Sequence, residues 1–233
     1  MAQSDGGGPA LSHVPPALVV VTGPPGAGKT TLCRAALRHA SRRGLRVGGL
    51  LSLPHCTGDG LQWRRVLDIA SGEWRALGCR RLSPVSASGS FPGAAGSAVE
   101  GVAEGGGGEG CAGGGTLAWE LRADAVRWAD ERLLRCLEAP PDVVILDEIG
   151  PLELVWGKGW GTALPLLADG EYRLGIAVVR PALVGSFVER VGSGRTPHVV
   201  QANADAASRE AARAVLRAMV DEVRIRDSRG GDA

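Results

Sequence analysis

The chain has 233 residues, 44% of them apolar, and a formal net charge of +1. That is enough for one full core, and it lacks both the low hydrophobicity of a disordered chain and the basic excess of a general nucleic-acid binder. No segment approaches the roughly 18 consecutive apolar residues of a membrane span, and MAQSDGGGPA has neither the charged start nor the apolar centre of a secretion signal, so the expected location is the cytoplasm.

In chain order, Val19 to Thr22 reads as a first strand, after a flexible N-terminal segment 1–17. A loop of Gly and Pro follows, then an amphipathic helix from about Thr30 to Arg43 that stops at Gly44. LRVGGLLS, from Leu45 to Ser52, is the second strand. LQWRRVLDIASGEWRAL then alternates apolar and polar residues around Ser71-Gly72, the pattern of a β-hairpin outside the parallel core. Residues 86–115 collapse into Gly, Ala and Ser; such a stretch cannot bury enough apolar surface to offset its ordering entropy and is expected to be a disordered insertion.

Order is expected to resume in WELRADAVRWADERLLRCLEA, where Leu121, Ala125, Trp128, Leu133 and Leu137 trace a helical stripe. PDVVILDEIG is a buried strand with two acids at its C-terminal end. A helix around Gly161 to Leu167, the strand LGIAVV, a short helix, the strand PHVVQA and a last helix from about Asp205 to Val223 complete a domain over 18–223, with 224–233 as a flexible tail. Strands separated by helices imply an α/β fold, a parallel sheet flanked by helices.

The five cysteines, Cys33, Cys56, Cys79, Cys111 and Cys136, are odd in number and never form C-x-x-C, which argues for reduced thiols. His55-Cys56 is the one adjacent pair of soft ligands and has no further partners nearby for a metal. Of the 26 basic residues only Lys29 and Lys158 are lysine. The arginine groups Arg42-Arg43 with Arg46, Arg64-Arg65 and Arg80-Arg81 alternate with acids and read as solvated surface, so a nucleic-acid partner is not expected.

Gly23-Pro24-Pro25-Gly26-Ala27-Gly28-Lys29-Thr30, followed by Thr31, fills the pattern G-x-x-x-x-G-K-[ST] between a strand and a helix. Glycines there let successive backbone N–H groups turn toward one point, and the helix dipole adds positive potential, so the loop suits phosphate. Lys29 is expected on the β- and γ-phosphate oxygens of a nucleoside triphosphate, and the Thr30 hydroxyl on Mg²⁺. A chain that otherwise uses arginine has lysine at the position where a compact charge on a flexible stem suits phosphate.

The second constellation is VVILDEIGPLEL, from Val143 to Leu154. A site of this kind needs an acid at the C-terminal end of a strand beside the first, and Asp147 is expected there as a Mg²⁺ ligand. Glu148, one residue on, is expected to orient or deprotonate water in line with the γ-phosphate; the competing reading is a surface or helix-start acid. Glu153 either contacts Mg²⁺-bound water or substrate, or caps the following helix, with the functional role preferred.

Together GPPGAGKTTL, GGLLSLP, the hairpin RRVLDIASGEWRAL and LDEIGPLEL followed by GKGW resemble the THEP1-type nucleoside-triphosphatase family of P-loop proteins, from about Leu18 to Met219. The resemblance implies a RecA-like parallel sheet with a hairpin after the second strand, and hydrolysis of ATP, GTP and other nucleoside triphosphates to diphosphate and phosphate. It carries Gly28, Lys29, Thr30, Asp147 and Glu148 over to the roles given above. The glycine-rich insertion departs from the compact family pattern.

Charge spreading over the γ-phosphate in the transition state calls for an arginine. Arg180, just past LGIAVV, is the first choice in cis, with Arg190, Arg195 and Lys158 behind it. Two other functions use the same loop: a small nucleotide or nucleoside kinase, and a non-catalytic nucleotide-dependent switch in cofactor assembly. No N-K-x-D segment fixes a base, and the sequence does not determine the oligomeric state.

Overall fold

A computed structural model describes residues 16–56, 61–81, 119–157, 159–192 and 195–230. The insertion at 86–115, nearly all of the N-terminal segment, and Lys158 lie outside the described residues. In chain order the elements are β1 (Ala17–Thr22), α1 (Lys29–Arg42), β2 (Val47–Cys56), β3 (Leu61–Asp68), β4 (Trp74–Arg81), β5 (Glu120–Leu121), α2 (Ala123–Glu138), β6 (Val143–Ile149), α3 (Pro151–Leu154), α4 (Ala163–Asp169), β7 (Leu174–Val179), α5 (Val184–Val191), β8 (His198–Gln201) and α6 (Ala206–Gly230). The last helix therefore runs past Val223, where the sequence pattern suggested a tail.

One 8-stranded sheet runs β5-β4-β3-β2-β6-β7-β1-β8. From β2 to β8 all neighbours are parallel, and with the parallel strands counted in chain order their arrangement is second, third, fourth, first, fifth. β1, β6 and β7 are aliphatic runs buried on both faces, as parallel strands between helix layers must be. One core cluster joins the sheet to α2, α4 and α5, and the other joins the opposite face to α1 and α6. Within α1 the buried set is the adjacent pair Leu32 and Cys33 with Ala36 and Ala40, and within α6 it includes Ala212, Leu216, Val220 and Val223, recurring every three or four residues as one helix face does.

The hairpin is present and lies in the same sheet. β2 continues to Cys56, beyond the expected stop at Ser52, and pairs antiparallel with β3, which pairs with β4 and that with β5. Asp68 organises the β3–β4 turn: it accepts from Ser71 Oγ at 2.6 Å and from the Ala70 N–H at 3.2 Å. Helix α2 docks on this extension, with Arg132 reaching Glu73 and the guanidinium groups of Arg75 and Arg132 at 5.1 Å and 5.0 Å from the Trp128 ring centroid. The helix stripe differs in detail from its expected form. Leu121 belongs to β5, Leu137 is exposed, and Ala129 and Cys136 join Ala125 and Leu133 in the buried set.

Cys33 and Cys136 are free and buried, whereas Cys79 is disulfide-bonded, which corrects the expectation of reduced thiols there. Spacing along the chain carries no information on which thiols an antiparallel extension brings together; Cys79 sits on β4 across from Trp63 and Glu120.

Candidate active site

The Gly-rich loop joins the C-terminal end of β1 to α1. Gly23, Gly26 and Gly28 have φ of 148°, 78° and 87°, a region that favours glycine. At Gly23 space is also limiting: a Cβ would stand 1.9 Å from the carbonyl oxygen of Ala202, the residue after β8. Pro24, Pro25, Gly26 and Thr31 are exposed, Ala27 is buried, and Gly28, Lys29 and Thr30 are partly buried. Lys29 Nζ donates to the carbonyl oxygens of Gly23 at 2.7 Å and Pro24 at 2.8 Å, so the ammonium lies folded over the loop. Its pKa is lowered by partial burial, against the opposing pull of Glu148 and Asp147, and Arg180 acts in the same direction as burial. Lys29, Asp147, Glu148 and Arg180 thus share one field at the C-terminal edge of the sheet.

β6 does not lie beside β1, as the sequence argument required; β7 separates them. The acid still reaches the loop, because Asp147 is wholly buried facing the start of α1. Both of its carboxylate oxygens lack a hydrogen-bond partner. Thr30 and the Ser52 backbone lie near enough to favour its charged form without completing a bond. Burial dominates, the Glu148 charge adds to it, and the carboxyl is pushed up to about 7. A buried carboxylate with two free oxygens beside a threonine hydroxyl is a set of hard oxygen donors, which fits a divalent cation such as Mg²⁺.

Glu148 diverges from Asp147 because the β6–β7 register shifts between Leu146 and Ile149, and Glu148 itself has φ 79°. A positive φ at a residue with a Cβ costs about 1 kcal/mol and persists only where surroundings hold it. The holders are Arg64, whose Nη1 is 2.5 Å from Oε1, and Ser52, whose Oγ is 3.4 Å from Oε2. Arg64 also donates to Ser52 Oγ at 3.1 Å and stands 5.2 Å over the Trp119 ring. It is paired and only 26% exposed, which corrects its reading as solvated surface.

Of the other candidates, Arg180 is exposed and ends β7 in the field of Lys29. Arg195 is excluded from the site: it donates to the carbonyls of Leu167 at 3.0 Å and Gly170 at 2.9 Å and stacks on Tyr172. Arg190 is exposed on α5, on the rim of a cavity of about 510 Å³ that Trp160 and Leu164 also line. Glu153 is 7% exposed and uses both oxygens on backbone donors, Gly150 at 2.9 Å and Trp160 at 3.3 Å. The preferred functional role for Glu153 therefore gives way to a cap on α3 and its following loop. Arg64 and Ser52 escaped the sequence argument; the available signal was the alternation of β3, which places Arg64 and Val66 on one face with Ser52.

The family model described as NTPase matches residues 18–89. "Nucleoside-triphosphatase THEP1" of Caldivirga maquilingensis is 26% identical over 136 residues, 58% of this chain, and the match spans 60% of that relative's length. In fold the chain is similar to the solution structure of a human cancer-related nucleoside triphosphatase, with a TM-score of 0.54 and 22% identity over 89% of this chain and 97% of the other. It is also similar to THEP1 from the hyperthermophile Aquifex aeolicus, with a TM-score of 0.52 and 14% identity over 85% and 96%. These matches make the chain similar in sequence, over part of its length, and in fold to THEP1-type nucleoside-triphosphatases. The region 18–89 matched by the family model takes in the phosphate loop, β2 and the hairpin, and the acids of β6 stand outside it.

Proposed function

We propose that the chain binds a Mg²⁺–nucleoside triphosphate at the Gly23–Thr31 loop and hydrolyses it to diphosphate and phosphate, with ATP, GTP and other triphosphates as substrates. The observation that carries this reading is the buried, unpartnered Asp147 carboxylate between the phosphate loop and Glu148. An uncompensated buried acid is costly, and a site for a cation explains why it is kept.

Loop N–H groups and the N-terminus of α1 receive the phosphates. Lys29 leaves the Gly23 and Pro24 carbonyls and donates to the β- and γ-phosphate oxygens. Asp147 and the Thr30 hydroxyl would hold Mg²⁺, which would supply positive charge beside the phosphates. Glu148 accepts a hydrogen bond from the attacking water, orients it toward the γ-phosphorus and takes its proton. Arg180 faces the charge that develops on the γ-phosphate.

The test is phosphate release by the purified protein with Mg²⁺ and ATP or GTP, in the absence of any acceptor. Steady release over many turnovers supports hydrolysis. Tight binding with no release would favour the switch, and release that appears only on adding a nucleoside or nucleotide acceptor would favour the kinase.

A further inference from the structure

We infer that Arg64, on the antiparallel extension, is a positioning residue for hydrolysis, clamping Glu148 in the orientation from which it acts on water. This rests on the reading of Glu148 given above. Residue 148 has φ 79° inside a strand whose register is broken, so nothing in the β6 ladder fixes the direction of its side chain. The direction is set from outside, by Arg64 on Oε1 and Ser52 on Oε2. Ser52 is 1% exposed, and Arg64 is itself fixed by its bond to Ser52 and by Trp119 beneath its guanidinium. Glu148, Ser52, Arg64 and Trp119 form a chain of contacts in which each partner is restrained before substrate arrives.

A flexible carboxylate on a strained residue would sample several rotamers, and a base displaced by an ångström loses much of its effect. A guanidinium held by its own partners removes that freedom. Arg80 serves as an internal control: it stands 5.1 Å from the same Trp119 ring, but it bonds Gln62, not Glu148.

Five variants are compared with wild type for kcat, KM and the Kd of a non-hydrolysable triphosphate: Arg64→Ala, Arg64→Lys, Arg80→Ala, Glu148→Gln and the double Arg64→Ala/Glu148→Gln. Arg64→Ala should lower kcat by about 10- to 100-fold with KM and Kd within about threefold. Arg64→Lys should recover part of the loss, and Arg80→Ala should stay within about threefold of wild type. The double variant should be no slower than Glu148→Gln alone, because Arg64 acts through that carboxylate. In nucleotide-free protein the two single substitutions should likewise be non-additive in Tm.

Wild-type or raised kcat in Arg64→Ala, or losses that multiply in the double variant, would overturn the inference while leaving the role of Glu148 standing. Full activity of Glu148→Gln would instead remove the reading on which the inference rests. Should Arg64→Ala fail to fold, Arg64→Lys and Arg64→Gln carry the same comparison.

Discussion

Lys29 and Asp147 respond in opposite ways to substitution at the single-residue scale. The Lys29 ammonium has only loop carbonyls for partners, so Lys29→Ala should leave folding intact, abolish turnover and weaken triphosphate binding, as read by titration calorimetry beside a thermal melt. Asp147 behaves in the opposite way in nucleotide-free protein. Its carboxyl rises from 3.8 to about 7 on folding, so the folded chain holds the proton more tightly than the unfolded one. Stability therefore falls as pH rises from about 4 to about 7 and then levels off. Asp147→Asn removes the penalty: without nucleotide the variant should melt higher than wild type at pH 8, by about 1–3 kcal/mol, with the difference shrinking toward pH 4. A variant that melts lower than wild type at pH 8 would contradict the unpaired, buried carboxylate.

Among the elements, α3 is too short to be stable alone, and Glu153 holds it in place through Gly150 and Trp160. Glu153→Ala should cost about 1–2 kcal/mol of stability and leave triphosphate Kd within a few fold; a large loss of affinity with unchanged Tm would return Glu153 to the site. The strands and helices of the parallel core were legible because periodic apolar runs bounded by glycine and proline decide them locally. What escaped was set between elements. Nothing along the chain reveals that β7 inserts between β1 and β6, that β2 continues past Ser52 to carry the hairpin in the same sheet, or that Arg64 thereby meets Glu148. The phosphate loop was readable because it is contiguous, whereas the partners of Glu148, Ser52 on β2 and Arg64 on β3, stand 96 and 84 positions from it in the chain.

Across the whole molecule, one sheet carries the phosphate loop at one side and the hairpin extension at the other, with the acids of β6 between them. The glycine-rich stretch contributes by composition little that could pack, so deletion of Ser88 to Gly113 should leave Tm and triphosphate binding near wild type. A deletion that spares binding and removes turnover would assign that stretch to the reaction. The division of labour between the two acids is the centre of the account, and Asp147→Asn beside Glu148→Gln measures it, with Mg²⁺-dependent triphosphate binding by calorimetry and phosphate release in a single turnover. Asp147→Asn should lose metal-dependent binding together with turnover. Glu148→Gln should bind as tightly as wild type while releasing phosphate ~10²–10⁴-fold more slowly. Wild-type release by Glu148→Gln would contradict the account.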